Sequence, residues 1–164
     1  PRGEPGELCT RGYSVMLGYW EDPEKTADVL DAAGWMHTGD LATMDTEGYV
    51  NIVGRIKDLV IRGGENVYPR EVEEFLYSHP DIADVQVIGV PDEKYGEELC
   101  AWIRMREGRP PLDAESVREF SRGRLAHFKI PRYVMVGDEF PMTVTGKIRK
   151  VQMREEAARR LGLS

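Results

Sequence analysis

Two apolar-rich runs, residues 82–90 and 97–105, constrain the fold of this 164-residue chain more than anything else in it. Both hold too many Val, Ile, Leu, Ala and Trp residues for a strand with one wet face. They predict strands inside a sheet that helices cover. The covering helices are legible nearby. Pro69 starts one whose Val72, Phe75, Leu76 and His79 share a face, and Pro80 is its expected stop. Asp113 caps a second, expected to run to about Ala126, and a polar third begins near Lys150. A further strand is expected at Tyr133-Val134-Met135-Val136. Ahead of all these, Gly63-Gly64 sits between two short strand-like runs and reads as a two-residue hairpin, because both glycines tolerate positive φ.

Residues 1–54 have a different character. A turn through Pro1 to Pro5 leads into a short strand at Leu8, Asp22 and Pro23 start a helix, and Gly48-Tyr49-Val50-Asn51-Ile52-Val53-Gly54 alternates as a half-buried strand does. The order of elements is mixed α+β, with a boundary expected between residues 54 and 58. At 41% hydrophobic and 31% charged residues the chain has the profile of a globular protein rather than a disordered one. No apolar run approaches the roughly 20 residues that span a bilayer.

The net charge of −7 is unevenly spread: residues 1–54 are strongly acidic, whereas residues 121–164 hold ten Lys/Arg against four Asp/Glu. Overall acidity weighs against non-specific nucleic-acid binding, while the basic end could receive an anionic ligand. Cys9 and Cys100 are too few and too far apart for a disulfide framework or a zinc cluster, and His37, His79 and His127 show no ligand spacing, so no metal site is expected. Cys100, inside an apolar run, reads as a buried small hydrophobe. The cysteine usage fits a reducing, cytoplasmic compartment.

Three segments carry chemistry. In Gly34-Trp35-Met36-His37-Thr38-Gly39-Asp40, the carboxylate of Asp40 could accept two hydrogen bonds from a vicinal diol such as a ribose, or simply cap a turn. His37 reads as packed or exposed, with no partner carboxylate apparent. In Gly54-Arg55-Ile56-Lys57-Asp58, Arg55 offers a planar donor fork, and charged Lys57 and Asp58 would keep the boundary backbone exposed and free to turn. In Pro141-Met142-Thr143-Val144-Thr145-Gly146-Lys147-Ile148, the likeness to a Walker A loop fails: Pro141 stands where the first glycine should be and Ile148 replaces Ser/Thr. What remains is Lys147 on a Gly-containing loop, able to put its charge where negative charge develops.

In order and spacing these segments, with residues 12–20 and 125–131, resemble the C-terminal part of the adenylate-forming superfamily, which includes acyl-CoA synthetases, adenylation domains of peptide synthetases and beetle luciferases. Within it, Ile61-Arg62-Gly63-Gly64-Glu65-Asn66-Val67-Tyr68-Pro69 and His127-Phe128-Lys129-Ile130-Pro131 look most like medium-chain fatty-acyl-CoA synthetases. The resemblance implies that Asp40 holds the ATP ribose, Arg55 contacts ribose and phosphate, and Lys57 is the hinge. It implies that Lys147 is the adenylation lysine, and that Gly63 and Gly64 line the channel for the CoA pantetheine arm.

By the same resemblance, residues 1–56 end a truncated large N-terminal AMP-binding domain. Residues 57–164 are then a small mobile C-terminal domain, with a short mixed sheet flanked by helices. The phosphate loop, the acyl pocket and the magnesium-binding glutamate are expected upstream, so the chain alone is expected to be inactive. The implied reaction joins a fatty acid to CoA at the expense of ATP, with magnesium as cofactor and no nucleic acid or membrane span; homo-oligomer formation is left open. The alternatives are an adenylation domain that loads a carrier protein, against which Lys57 and the 61–69 segment weigh, and a non-catalytic anion-binding module.

Overall fold

The structure, a computed structural model, describes residues 1–163. It divides into two units, Pro1–Lys57 and Asp58–Ser164.

The first unit is a three-stranded antiparallel sheet in the order β1-β2-β3, from β1 (Gly6–Thr10), β2 (Met36–Met44) and β3 (Val50–Arg55), with one short helix, α1 (Pro23–Val29). Asp22 caps α1, accepting the Lys25 N–H at 2.9 Å, and Pro23 takes the first turn, where its missing N–H costs nothing. The long strand β2 is entered and left through two turns of the same chemistry. Asp31 Oδ1 accepts the N–H groups of Ala33 and Trp35 at 2.9 and 2.8 Å, and Asp45 Oδ1 accepts those of Glu47 and Tyr49, both at 2.9 Å. Each turn holds a glycine at positive φ, Gly34 at +80° and Gly48 at +94°. These aspartate-anchored turns fix where β2 begins and ends.

The second unit is built on a long hairpin, β6 (Ile82–Asp92) with β7 (Gly96–Met105), paired antiparallel. Successive residues of β7 separate cleanly between two apolar clusters. Leu99, Ala101 and Ile103 face one way with Val85 and Val87, and Cys100 and Trp102 face the other with Ile88 and Val90. The first face is covered by α2 (Pro69–Leu76) through Val72 and Leu76 and by α3 (Ala114–Ser121) through Val117; the second by α4 (Lys150–Leu161) through Met153 and Ala157. A sheet clothed on both faces accounts for the two dense apolar runs.

The rest of the sheet is added to β7. The short hairpin β4 (Val60–Arg62) and β5 (Glu65–Val67) joins at its start, giving the order β5-β4-β7-β6, and β8 (Tyr133–Val136) pairs with β7 in parallel from Cys100 to Ile103. The α+β class and the mixed sheet expected from the sequence are both present. The outer edge of β6 is blunted by side chains: Glu73 Oε1 accepts the Val87 N–H at 2.8 Å, and Lys150 Nζ donates to Glu73 Oε1 at 2.7 Å and to the Val87 carbonyl at 3.3 Å. The edge groups of Val87 are thereby taken from any further strand.

Two helix ends fall short of expectation. Helix α3 stops at Ser121, not near Ala126, because Gly123 takes a left-handed φ of +71° and the Ser121 carbonyl collects the N–H groups of Arg124 and Leu125, both at 3.0 Å. Helix α2 stops at Leu76, ahead of Pro80. Among the described residues no helix is long and apolar enough to cross a membrane.

The buried ladder sets a test. Leu99 is fully buried, so Leu99→Ala should cost about 2–5 kcal/mol in denaturant unfolding. Val136, at 38% exposure on β8, should cost less than about 1 kcal/mol when changed to Thr. Equal effects at the two positions would contradict this account of the core.

Candidate functional site

In the first unit the site is a cross-strand pair. Asp40 on β2 and Arg55 on β3 are register partners, and the Arg55 Nε–H donates to Asp40 Oδ1 at 2.9 Å. The sequence singled out both residues without linking them. Pairing uses one carboxylate oxygen and one guanidinium nitrogen, so Oδ2 of Asp40 and the two terminal nitrogens of Arg55 stay available as an acceptor beside a donor fork. That set suits a ligand with neighbouring hydroxyls and a phosphate. Arg55 is 69% exposed at its side chain and Asp40 27%.

The backbone that presents Asp40 is fixed by short bonds. Thr38 Oγ1 donates to the Leu8 carbonyl at 2.7 Å and accepts the Asp40 N–H at 3.1 Å. Gly39 between them has φ +71° and gives its N–H to Glu7 Oε1 at 3.2 Å. Glu7 therefore serves two residues at once, because its Oε2 lies 2.8 Å from His37 Nδ1.

This corrects the reading of His37 as a residue without a partner carboxylate: Glu7 is in contact and Asp31 Oδ2 lies 4.0 Å from Nε2. The partners come from 30 and 6 residues earlier in sequence, and only the β1–β2 pairing, which sets Cys9 opposite His37, brings Glu7 across. The bond to Glu7 raises the His37 pKa above the ordinary histidine value and lowers that of Glu7. Cys9 Sγ is 3.6 Å from His37 Nδ1, so Glu7, Cys9 and His37 form a group of potential metal-binding atoms that no sequence spacing announced. In this group Glu7 and His37 already satisfy one another.

Lys57 lies in a single 3-10 turn, Ile56–Asp58, and is the last residue of the first unit. In the second unit Gly63 and Gly64 form the expected hairpin turn, with φ +58° and +89°, between β4 and β5. Glycine adopts both at low cost. A Cβ at Gly63 would also lie 3.0 Å from the Tyr95 ring, so a side chain there would require the ring to give by a few tenths of an ångström.

Lys147 sits on a compact, exposed loop closed by a bridge between Met142 and Ile148. The Thr143 N–H donates to the Lys147 carbonyl at 2.8 Å, and Thr143 Oγ1 accepts the Lys147 N–H at 3.0 Å. Gly146, at φ +78°, lets the chain double back by giving its N–H to the Thr143 carbonyl at 2.9 Å. The lysine backbone is thus held while its side chain extends into solvent. The structure brings Asp40 and Arg55 together in one unit and sets Gly63, Gly64 and Lys147 in the other.

Residues 71–147 match the family described as the AMP-binding enzyme C-terminal domain. That match lies wholly within the second unit. The chain is 50% identical over 159 residues to human medium-chain acyl-CoA ligase ACSF2, mitochondrial, covering 97% of this chain and 26% of that protein. Its fold is similar to ATP-bound MatB from Rhodopseudomonas palustris, at TM-score 0.88 and 40% identity over 95% of this chain and 31% of that one. It is also similar to o-succinylbenzoate CoA synthetase (MenE) from Bacillus subtilis in complex with the acyl-adenylate intermediate, at TM-score 0.85 and 34% identity over 94% of this chain and 31% of that one. The chain thus spans about a quarter of the length of the curated relatives it matches. The superfamily resemblance, read from the aspartate, hinge and lysine segments, holds.

The Glu7–His37 pair makes a pH test with a definite sign. A raised His37 pKa means that the pair's contribution is complete below the ordinary histidine value and is lost as pH rises through the raised one. The lowered Glu7 pKa means that its contribution is complete above the ordinary glutamate value and is lost as pH falls through the lowered one. NMR titration should place His37 above an unperturbed histidine, and Glu7→Gln should bring it back down. An unchanged midpoint in that variant would show that Glu7 is not its partner.

Proposed function

We propose that this chain is part of an ATP-dependent fatty-acid–CoA ligase. The acid's carboxylate oxygen attacks the α-phosphorus of ATP, giving acyl-adenylate and pyrophosphate; the CoA thiol then attacks the acyl carbonyl, giving the thioester and AMP, and the thiol proton leaves to solvent. The observation that carries this reading is the identity at half of all positions, across nearly the whole chain, to a medium-chain acyl-CoA ligase.

The residues take up roles in keeping with their chemistry. Asp40 accepts hydrogen bonds from the ribose hydroxyls while Arg55, already aligned by its bond to Asp40, donates to ribose and phosphate oxygens. Lys147 bridges carboxylate and α-phosphate. Two anions repel as they approach, and a positioned ammonium offsets that repulsion most where the charge is greatest, in the transition state. Lys57 is the hinge about which the second unit turns between the half-reactions. Gly63 and Gly64, bare backbone on an exposed turn, then form a wall of the pantetheine channel. In this reading residues 1–56 complete a larger AMP-binding domain, which supplies the acyl pocket and the carboxylate for magnesium. Magnesium supplies charge neutralisation at the ATP phosphates.

The test separates the half-reactions in the enzyme that carries this chain. Lys147→Ala should lower acid-dependent pyrophosphate exchange by about 10²–10³-fold, the usual effect of removing one donor to developing charge. Thioester formation from supplied acyl-adenylate should stay near the unmodified rate. Equal loss of both would remove Lys147 from the adenylation step. Transfer of the acyl group to a phosphopantetheinylated carrier protein in preference to CoA would favour a carrier-loading enzyme instead.

A further inference from the structure

One buried carboxylate in the second unit has no part in the chemistry described so far. Glu98, on β7, is 1% exposed. Its Oε1 accepts the Arg62 Nε–H at 2.7 Å and the Leu99 N–H at 2.9 Å. Arg62 is the residue immediately before Gly63, and its side chain is only 14% exposed. Its guanidinium carbon lies 4.1 Å from the centre of the Tyr95 ring, a cation stacked on an aromatic face. Tyr95 returns to the same turn: its carbonyl accepts the Gly63 N–H at 2.8 Å, and its ring occupies the space beside Gly63.

Tyr95 is itself fixed. Asp92 Oδ1 accepts the N–H groups of Lys94 and Tyr95 at 3.0 and 2.9 Å, and Asp92 Oδ2 is held by Arg132 Nη1 at 3.1 Å. One residue back along β4, Glu97 Oε2 accepts the Ile61 N–H at 2.8 Å. Charges of both signs therefore surround the base of the Gly63–Gly64 turn: Arg62, Lys94 and Arg132 against Asp92, Glu97 and Glu98.

Cheaper ways exist to hold a two-residue hairpin. Burying a carboxylate and a guanidinium costs several kcal/mol of hydration before their attraction returns it, and apolar residues of similar volume are often as stable or more so. What an ion pair adds is direction, since Nε meets Oε1 in one geometry only. The turn so directed has two glycines with no side chains to steady it.

We propose that Glu98 is a positioning residue for thioester formation: through Arg62 and the Tyr95 ring it holds the Gly63–Gly64 turn where the pantetheine arm must pass. The inference rests on the ligase reading above. It places Glu98, Arg62 and Tyr95 behind the channel wall, not in contact with CoA, and gives them no role in making the adenylate.

Two variants test it in the enzyme that carries this chain. Glu98→Gln keeps the size and removes the charge. The double change Glu98→Leu with Arg62→Met removes the pair without leaving an unpartnered buried charge; the Leu99 N–H loses its acceptor, a smaller penalty than a lone buried charge, and circular dichroism checks that the variant is folded. With supplied acyl-adenylate, both should form thioester more slowly by at least about tenfold, up to the 10²-fold that an ångström of misplacement can cost. The loss should lie mainly in the KM for CoA, and pyrophosphate exchange should stay within about twofold. Amide hydrogen exchange at Gly63, Gly64 and Glu65 should quicken in both variants, a readout that needs no assumption about the acceptor. Unchanged exchange at the turn would overturn the proposal, and so would equal loss of both half-reactions or unaltered thioester formation in the folded double variant. If the unmodified enzyme makes adenylate but does not transfer it to CoA, the ligase reading fails, while the exchange measurement still decides whether Glu98 holds the turn.

Discussion

The antiparallel pairing of β6 with β7 is the interaction on which the second unit depends. Its residues alternate between two faces, and each face finds an apolar cover, α2 and α3 on one side and α4 on the other. Burial at roughly 25 cal/mol per Å² of apolar surface makes this ladder the main source of stability. Both glycine-containing loops singled out in the sequence are attached to it. The Gly63–Gly64 turn hangs from the start of β7 through β4, and the Lys147 loop runs between β8, which pairs with β7, and α4, which packs on it. Exposed loops are thereby carried by a rigid, dry scaffold. Even the thiol on this ladder is withdrawn from chemistry: burial pushes the Cys100 pKa up to about 12.

The first unit uses a different device. Little of it is deeply buried, and its order comes from hydrogen bonds of single acidic side chains to the backbone. Asp22, Asp31 and Asp45 anchor a helix start and two turns, and Glu7 bonds both Gly39 and His37. The acidic excess of residues 1–54 that looks like a solubilising surface in the sequence is therefore partly structural. Asp40, like Glu7 toward His37, bonds a side chain, that of Arg55.

Local features were legible in the sequence where the physics is local. Pro23 and Pro69 opened α1 and α2, Asp22 and Asp113 capped α1 and α3, and Gly63-Gly64 made the turn, because each acts within three or four residues. What escaped was set by distance along the chain. The parallel addition of β8 to β7, the approach of Glu7 to His37 and the pairing of Asp40 with Arg55 all depend on strand register. Gly123 carried a usable signal for the early end of α3, since a glycine after a helical run favours the left-handed closing position. Glu98 carried none: a Glu within an apolar run looks like the wet edge of a strand until Arg62 is found against it, 36 residues away.

The central claim is that the acid is activated as an adenylate, with an acid oxygen becoming part of the nucleotide. Oxygen follows that bond directly. The enzyme that carries this chain, given a medium-chain fatty acid labelled with heavy oxygen in its carboxylate together with ATP and CoA, should place one labelled oxygen in the phosphate of AMP and none in pyrophosphate. Label in inorganic phosphate, with ADP as the nucleotide product, would mean activation through an acyl phosphate and would contradict the account.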